Sequence, residues 1–309
     1  MLLKYLPASL SAAAIYGVLL ASSSSTTVVV SANILKGCAT NYDPEAGVDY
    51  FPAKYIEPKI ESYGSLDIYG NKFFPHNAPD FFTIDYFNSY KIVTNTHQNP
   101  HQRYLLYQCG TDIPQAVIDA NDFDVIVSVP LQDGIAVTQT PTIPYLEMIG
   151  HRKDIKAYLG STTYVTSPCM KHMLEDKSIE TVGKAFTGRK GNITEWRTKN
   201  PNVLVVDGPG NTHNYLSGNV IVASTTQERT NVAMNAWNAF YAAFFNEEGF
   251  ANGITSKLQA NYDCTADVSR SIVATKQKEA QLAGKEYKKP TIMYAKYYKK
   301  SYYVERPGW

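Results

Sequence analysis

Two runs, FDVIVSVPL (123–131) and PNVLVVDGPG (201–210), are apolar at consecutive positions instead of alternate ones. A strand with one wet face alternates apolar and polar residues, so strands without that alternation are expected to be covered on both faces. Helical patterns separate and follow them. Together these predict an α/β chain: a three-layer α/β/α sandwich with a parallel sheet. GIAVT (134–138) and IKAYLGS (155–161) read as further strands. PTIPYLEMIGHRK, PCMKHMLEDKS and NITEWRTKN read as short helices.

In TQERTNVAMNAWNAFYAAFF (226–245), Val232, Ala236, Ala239, Phe240, Ala243 and Phe244 fall near a 3.6-residue period, which predicts one long helix. EEGFANGITSKLQANY and DVSRSIVATKQKEAQLAG are expected as a second and a third, and a final strand is expected from Thr291. Before the α/β region, residues 38–80 are rich in Pro, Gly and aromatic side chains without helical period, so an irregular wrapping segment is expected. FFTIDYFNSYKIVTNT then alternates on either side of Asn88-Ser89, the pattern of a hairpin, and RYLLYQCGT (103–111) is a third strand of this β-rich N-terminal part.

The first 32 residues carry Lys4, an apolar run over residues 10–21, and then small residues. That run is shorter than the ~20 residues a membrane span requires, so 1–32 reads as a signal peptide cleaved after Ala32, with a site near Ser23 as the alternative. A secreted, extracellular or periplasmic location follows. In such a compartment Cys38, Cys109, Cys169 and Cys264 are expected in disulfides, since no CxxC spacing or Cys/His cluster suggests a metal. Three pairings are open, and proximity in sequence favours Cys38 with Cys109 and Cys169 with Cys264. ILKGC faintly resembles a lipid-attachment motif at Cys38, but Lys36 is wrong for it. Asn192-Ile193-Thr194 is a glycosylation sequon.

At 309 residues and 44% hydrophobic, the chain has ample material for a core, and a formal charge of +1 gives no field for a nucleic-acid partner. There is no Gly-x-Ser-x-Gly, GxGxxG or GxxxxGK[ST], which removes the sequence support for acyl transfer and nucleotide chemistry. His97 and His101 are four apart, yet Pro100 between them forbids the helix that would align them on a metal. Three predicted strands end in polar loops flanked by aromatic residues, at 138–142, 158–164 and 207–215. If the strands are parallel these loops share one rim, supplied with hydroxyls, rings and one carboxylate but with no paired nucleophile and base; such a rim suits binding better than reaction. Asp207 with His213 as acid and base is the alternative, a secreted enzyme acting on a small or saccharide substrate.

The order GIAVTQTPTIPYLEMIG, DIKAYLGS, SIETVG and NITEWRTKNPNVLVVDG resembles that of the helical-backbone (class III) periplasmic binding proteins, which deliver iron-siderophores and cobalamin to ABC transporters. The resemblance covers roughly 124–298, and the part from 38 to 111 is similar to an extension of secreted eukaryotic relatives. It implies a first lobe, with the extension, over 33–225, an inter-lobe helix over 226–246, and the start of a second, truncated α/β lobe over 247–309. It implies a non-enzymatic, monomeric protein without intrinsic cofactor. The ligand, a ferric chelate, haem or corrinoid, would touch Thr140, Thr142, Tyr158, Thr162, Tyr164, Asp207 and His213, and from the far side Tyr297 and Tyr298. Arg152 and Arg189 are the candidate cations near the rim, and Glu147 and Glu195 the carboxylates that would dock a membrane transporter or receptor.

Overall fold

The computed structural model describes residues 34, 36–51, 72, 79–120, 122–182, 190–210, 218–291, 295–298 and 301–304. The chain is mixed α/β with a parallel sheet. Its first sheet holds β1 (Phe82–Tyr86), β2 (Tyr90–Asn95), β3 (Gln102–Gln108) and β4 (Val125–Val129) in sequence order, and the short helix α1 (Gln115–Asp119) lies between the last two. The expected hairpin forms at Asn88-Ser89, with Tyr86 opposite Lys91, while β3 and β4 are parallel. β4 departs from expectation. Val125, Val127 and Val129 are buried while Ile126 is exposed and Ser128 half-buried, since β4 is the edge of this sheet and not a centre of the next.

The second sheet is wholly parallel, in the order β7 (Glu180–Thr181), β6 (Ile155–Tyr158), β5 (Ile135–Val137), β8 (Leu204–Asp207), β9 (Val220–Val222). Ile135, Val137, Leu204 and Val206 face a core shared with α2 (Thr142–Met148), α3 (Pro168–Glu175) and α5 (Asn231–Ala242). Ala136, Val203 and Val205 face the other way, onto Ile193 and Trp196 of α4 (Lys190–Lys199). Burial on both faces is the reason β5 and β8 carry no polar alternation. In β6 the register with β5 shifts, Ile135 opposing Ile155 and Ala136 opposing Ala157, so an extra residue turns the strand there. β7, β9 and α1 were not legible in the sequence; VIV at 220–222 is too short to distinguish from a loop.

The helices begin and end where local chemistry dictates. Ser167 accepts the Met170 N–H at 3.2 Å ahead of Pro168, and Thr230 accepts the Ala233 N–H at 3.1 Å. α5 is buried nearly all round, as its composition requires. Trp237 and Phe240 meet Phe82 of β1 with ring centroids at 4.9 and 5.6 Å, and Tyr241 stacks on Tyr145 of α2 at 5.1 Å, so one helix joins the two sheets. Side chains close the seam between them. The Val222 N–H donates to the Tyr104 hydroxyl at 2.9 Å, and Asn95 Nδ2 donates to the Val222 carbonyl at 2.8 Å, which satisfies the outer edge of β9. Glu228 accepts from Trp237 Nε1 at 2.6 Å and from the backbone N–H groups of Asp80 and Phe81, fixing the approach to β1.

After α5, two expected helices are one. α6 (Glu248–Leu282) runs unbroken for 35 residues. Polar side chains across the expected break bond along the helix: Thr265 donates to the Asn261 carbonyl at 2.8 Å, Ser269 to the Thr265 carbonyl at 2.8 Å, and Gln259 donates to Asp263 at 2.9 Å. Its buried residues end at Thr255, and beyond that point Tyr262, Val268, Ile272 and Leu282 are exposed. The long helix expected over 226–245 is thus α5, enclosed in the core, and α6 is the helix that leaves it. The terminal strand begins at Ala295, as β10 (Ala295–Tyr298), and turns back into β11 (Ser301–Val304). Among the described residues no helix is long and apolar enough to cross a membrane.

Cys38 and Cys109 form a disulfide, and the Ala39 N–H donates to the Cys109 carbonyl, so the wrapping segment is tied to the end of β3. A disulfide is compatible with an extracellular or periplasmic location. The favoured second pair is corrected: Cys169 lies in the first turn of α3 and Cys264 on the outward part of α6, and both are free and exposed. Proximity in sequence gave the first pair and failed for the second, because Cys264 sits on a helix that leaves the core. Asn192 lies in α4, but its side chain is outside the described residues, as is the segment 1–32.

One junction titrates. Gly150, at φ 85°, closes α2, and His151 follows it with its ring stacked on Phe245 at 3.6 Å. His151 Nδ1 lies 2.7 Å from Asp154 and Nε2 lies 3.2 Å from Glu247. Burial pulls the imidazole pKa down, but the two carboxylates outweigh it and raise it to about 9 from the ordinary 6.5. Since the folded pKa is the higher, this stabilisation is complete below pH 6.5 and is lost as pH rises through about 9. It amounts to on the order of 2 kcal/mol after allowance for solvent screening at the half-exposed Asp154. The urea midpoint is therefore expected to fall across that range in the native chain and to change much less in His151→Gln; equal slopes would remove His151 from the account.

Candidate functional site

Reading across the parallel sheet, the chain starts at the central β5, winds out to β6 and β7, then crosses back to β8 and β9. The strand order reverses between β5 and β8. In open parallel sheets the crevice outside the carboxyl ends at such a reversal is where ligands settle, because the two outgoing loops diverge there. The loops after β5, β6 and β8 are the three polar ones that the sequence marks, and parallel pairing puts them on one rim.

The rim is built from the inside outward. Asp207, 2% exposed, accepts from Thr138 Oγ1 at 2.5 Å and from the Gly208 N–H at 2.8 Å, joining the ends of β5 and β8. Its carboxylate holds the loops in place. Gly160 lies so close that an added Cβ would strike the Thr138 carbonyl and stand 2.6 Å from the Tyr158 hydroxyl. At Gly208 an added Cβ would run into the Gln139 amide, 2.5 Å from Nε2. At Gly160 the obstacle is backbone, so only glycine lets the loops after β5 and β6 close on each other, whereas at Gly208 the Gln139 side chain would have to move aside. That Gln139 Nε2 is buried and finds no acceptor among the described residues. A buried donor without a partner costs about 1–3 kcal/mol, which a ligand acceptor would recover.

The candidate residues divide by depth. Thr140 is half-exposed, and Thr162 and Tyr164 stand out on a single 3-10 turn, Tyr164 at 71% exposure. Thr142 and Tyr158 are in the core. Thr142 accepts the Tyr241 hydroxyl at 3.3 Å, and Tyr158 donates to the Ser161 carbonyl at 3.4 Å, with its phenol pushed up to about 12 by burial. Tyr297 and Tyr298 belong to β10, which pairs with β11 and with neither larger sheet. His213 and Arg189 fall outside the described residues.

Arg152 reaches Glu147 at 3.6 Å, and the same carboxylate accepts from Ser167 Oγ at 2.6 Å at the start of α3, so Glu147 braces that helix. Glu195 is exposed and pairs with Lys199 one turn on at 2.7 Å. Gln139, Gly160, Ser161 and Gly208 are the rim residues that sequence reasoning passed over. The signal available for the glycines was their place immediately after predicted strands. Among the described residues no group of three or more His, Cys, Asp or Glu is arranged to hold a metal ion. No family model matches the chain, and no match is found among curated proteins.

Proposed function

We propose that the chain is a secreted or periplasmic solute-binding protein that captures a ferric chelate, haem or a corrinoid at the carboxyl-end rim of its parallel sheet and presents it for uptake by a membrane transporter or receptor. The observation that carries this reading is the buried Gln139 Nε2 at the reversal between β5 and β8, which has no acceptor among the described residues, on a rim that also carries Thr140, Thr162 and Tyr164. The polar groups of that rim hold loops or await a partner; Asp207, the carboxylate an enzyme would use, is already engaged by two donors. In this reading the two larger sheets and their helices form the first lobe, α6 takes the place of the inter-lobe helix in preference to 226–246, and β10 with β11 opens a second α/β lobe. A stiff connector keeps the cleft largely preformed, so ordering costs on binding stay small.

Quenching of Trp196, Trp237 and Trp309 by ferric siderophores, haem and cobalamin tests it on the intact chain. One of the three should quench saturably, and Tyr164→Ala, an exposed change that leaves the core alone, should weaken that ligand by about ten-fold, as loss of a ring anchor does. Gln139→Leu should weaken it as well, by removing the buried donor. No saturable quenching by any of them would sink the proposal.

A further inference from the structure

A second concavity lies away from the parallel sheet, where the wrapping segment crosses the β1–β2 hairpin. It has a volume of about 450 Å³, within the range of small-molecule sites. Its outer wall is the stretch DPEAG at 43–47. Asp43 caps a 3-10 turn, accepting the Glu45 N–H at 2.9 Å, Pro44 sets the first dihedral, and Gly47, at φ 63°, ends the turn. Its inner wall is the hairpin, fixed by the Phe87 N–H bond to the Tyr90 carbonyl and the Tyr50 N–H bond to the Asn88 carbonyl, both 2.9 Å. Both walls are therefore preformed by backbone chemistry.

Tyr42, Tyr86, Phe87 and Tyr90 line the concavity. Phe87 and Tyr90 stack with centroids 4.4 Å apart and planes 12° from parallel, while Phe87 stays 43% exposed. The Phe87–Tyr90 stack gives the cavity a flat aromatic wall, part of it open to water. The charge of the lining decides what kind of occupant fits. Asp43 makes no ion pair with a Lys or Arg among the described residues, and none of the described lining residues is basic. Aromatic rings and a carboxylate that no described Lys or Arg pairs attract the same sign of charge, a cation.

We infer that this concavity binds a small organic cation, a quaternary or methylated ammonium group held among Tyr42, Tyr86, Phe87 and Tyr90 with Asp43 as its counter-ion. The site is separate from the Gln139 rim and independent of the ligand proposed there. An anion would meet the carboxylate, and a neutral sugar would leave the charge unused.

Calorimetric titration of the intact chain with choline, with its neutral isostere 3,3-dimethyl-1-butanol and with maltose distinguishes these occupants. Choline is expected to bind, and the neutral isostere to bind at least about ten-fold more weakly, since the shape is the same and only the charge differs. Asp43→Asn keeps the cap, because Asn is as good a capping residue, yet should weaken choline by about ten-fold without moving the thermal midpoint. Phe87→Leu keeps apolar bulk and should have a similar effect. Absence of choline binding, equal affinity for the isostere, preference for maltose, or an unaltered Asp43→Asn variant would each overturn the inference.

Discussion

Lys91→Met is expected to lower the free energy of unfolding by about 3–5 kcal/mol, the largest effect of any single substitution considered. Lys91 sits on β2 with its side chain wholly buried, and Nζ lies 2.5 Å from Glu248 Oε1 at the start of α6, a carboxylate that is also wholly buried. Lys91 Nζ also donates to Asn246 Oδ1 at 3.1 Å and lies 4.7 Å from the Phe51 ring, while Tyr86 donates its hydroxyl to the same glutamate oxygen at 3.2 Å. Asn246 in turn donates to Gln108 Oε1 and to the Ile34 carbonyl, each at 2.9 Å. Burial pushes both members toward neutrality, the lysine pKa down and the glutamate pKa up, and their mutual attraction offsets it.

Met removes the attraction and keeps the burial. The glutamate can then escape its penalty only by taking up a proton, so the variant should be less unstable in mild acid than at neutral pH: with a folded pKa raised above the unfolded one, stability is fully present below the unfolded value and is lost as pH rises through the folded one. Adding Glu248→Leu should recover most of the loss, since a buried pair replaced by apolar groups is close to neutral. Urea denaturation of the native chain and the two variants at two pH values provides the measurement; a loss under about 1 kcal/mol in Lys91→Met would show that water reaches the pair.

Removing the Cys38–Cys109 bond is the second large effect. The bridge closes a loop with a sequence separation of 71, and the unfolded chain freed of that constraint gains entropy worth as much as about 4 kcal/mol. The double variant Cys38→Ala/Cys109→Ala should lower the urea midpoint accordingly, and reductant should do the same to the native chain but nothing further to the variant. Because Cys169 and Cys264 are free, a reductant effect that persists in the double variant would show that they pair after all.

What the sequence revealed and what it hid follow from the range of the forces involved. β1 to β3, β5, β6 and β8 were legible because alternation or continuous apolarity is a local pattern, and α2, α3, α4 and α5 because periodicity and caps are local too. The depth of Thr142, Tyr158 and Asp207 was hidden. Each follows a predicted strand or lies at its end, where a polar residue reads as facing solvent, and only the packing of α5 and the mutual approach of the β5 and β8 loops turn them inward. Lys91 carries no local mark either; its partner lies 157 residues away. β4 was placed in the wrong sheet because isoleucine at one outward position masks the alternation, which Ser128 alone marks at the other.

Among the described residues, α6 is held only at its root. Beyond Thr255 it extends for about 40 Å at 1.5 Å per residue with none of its own residues buried, while its first turn is locked to β2 through Glu248 and Lys91. Geometrically that is a lever with a short anchored arm and a long free one. A tilt of about 5° at the Lys91–Glu248 pivot displaces the far end, about 50 Å away, by roughly 4.5 Å on the same rise per residue, so this buried ion pair also sets the aim of whatever the far end carries.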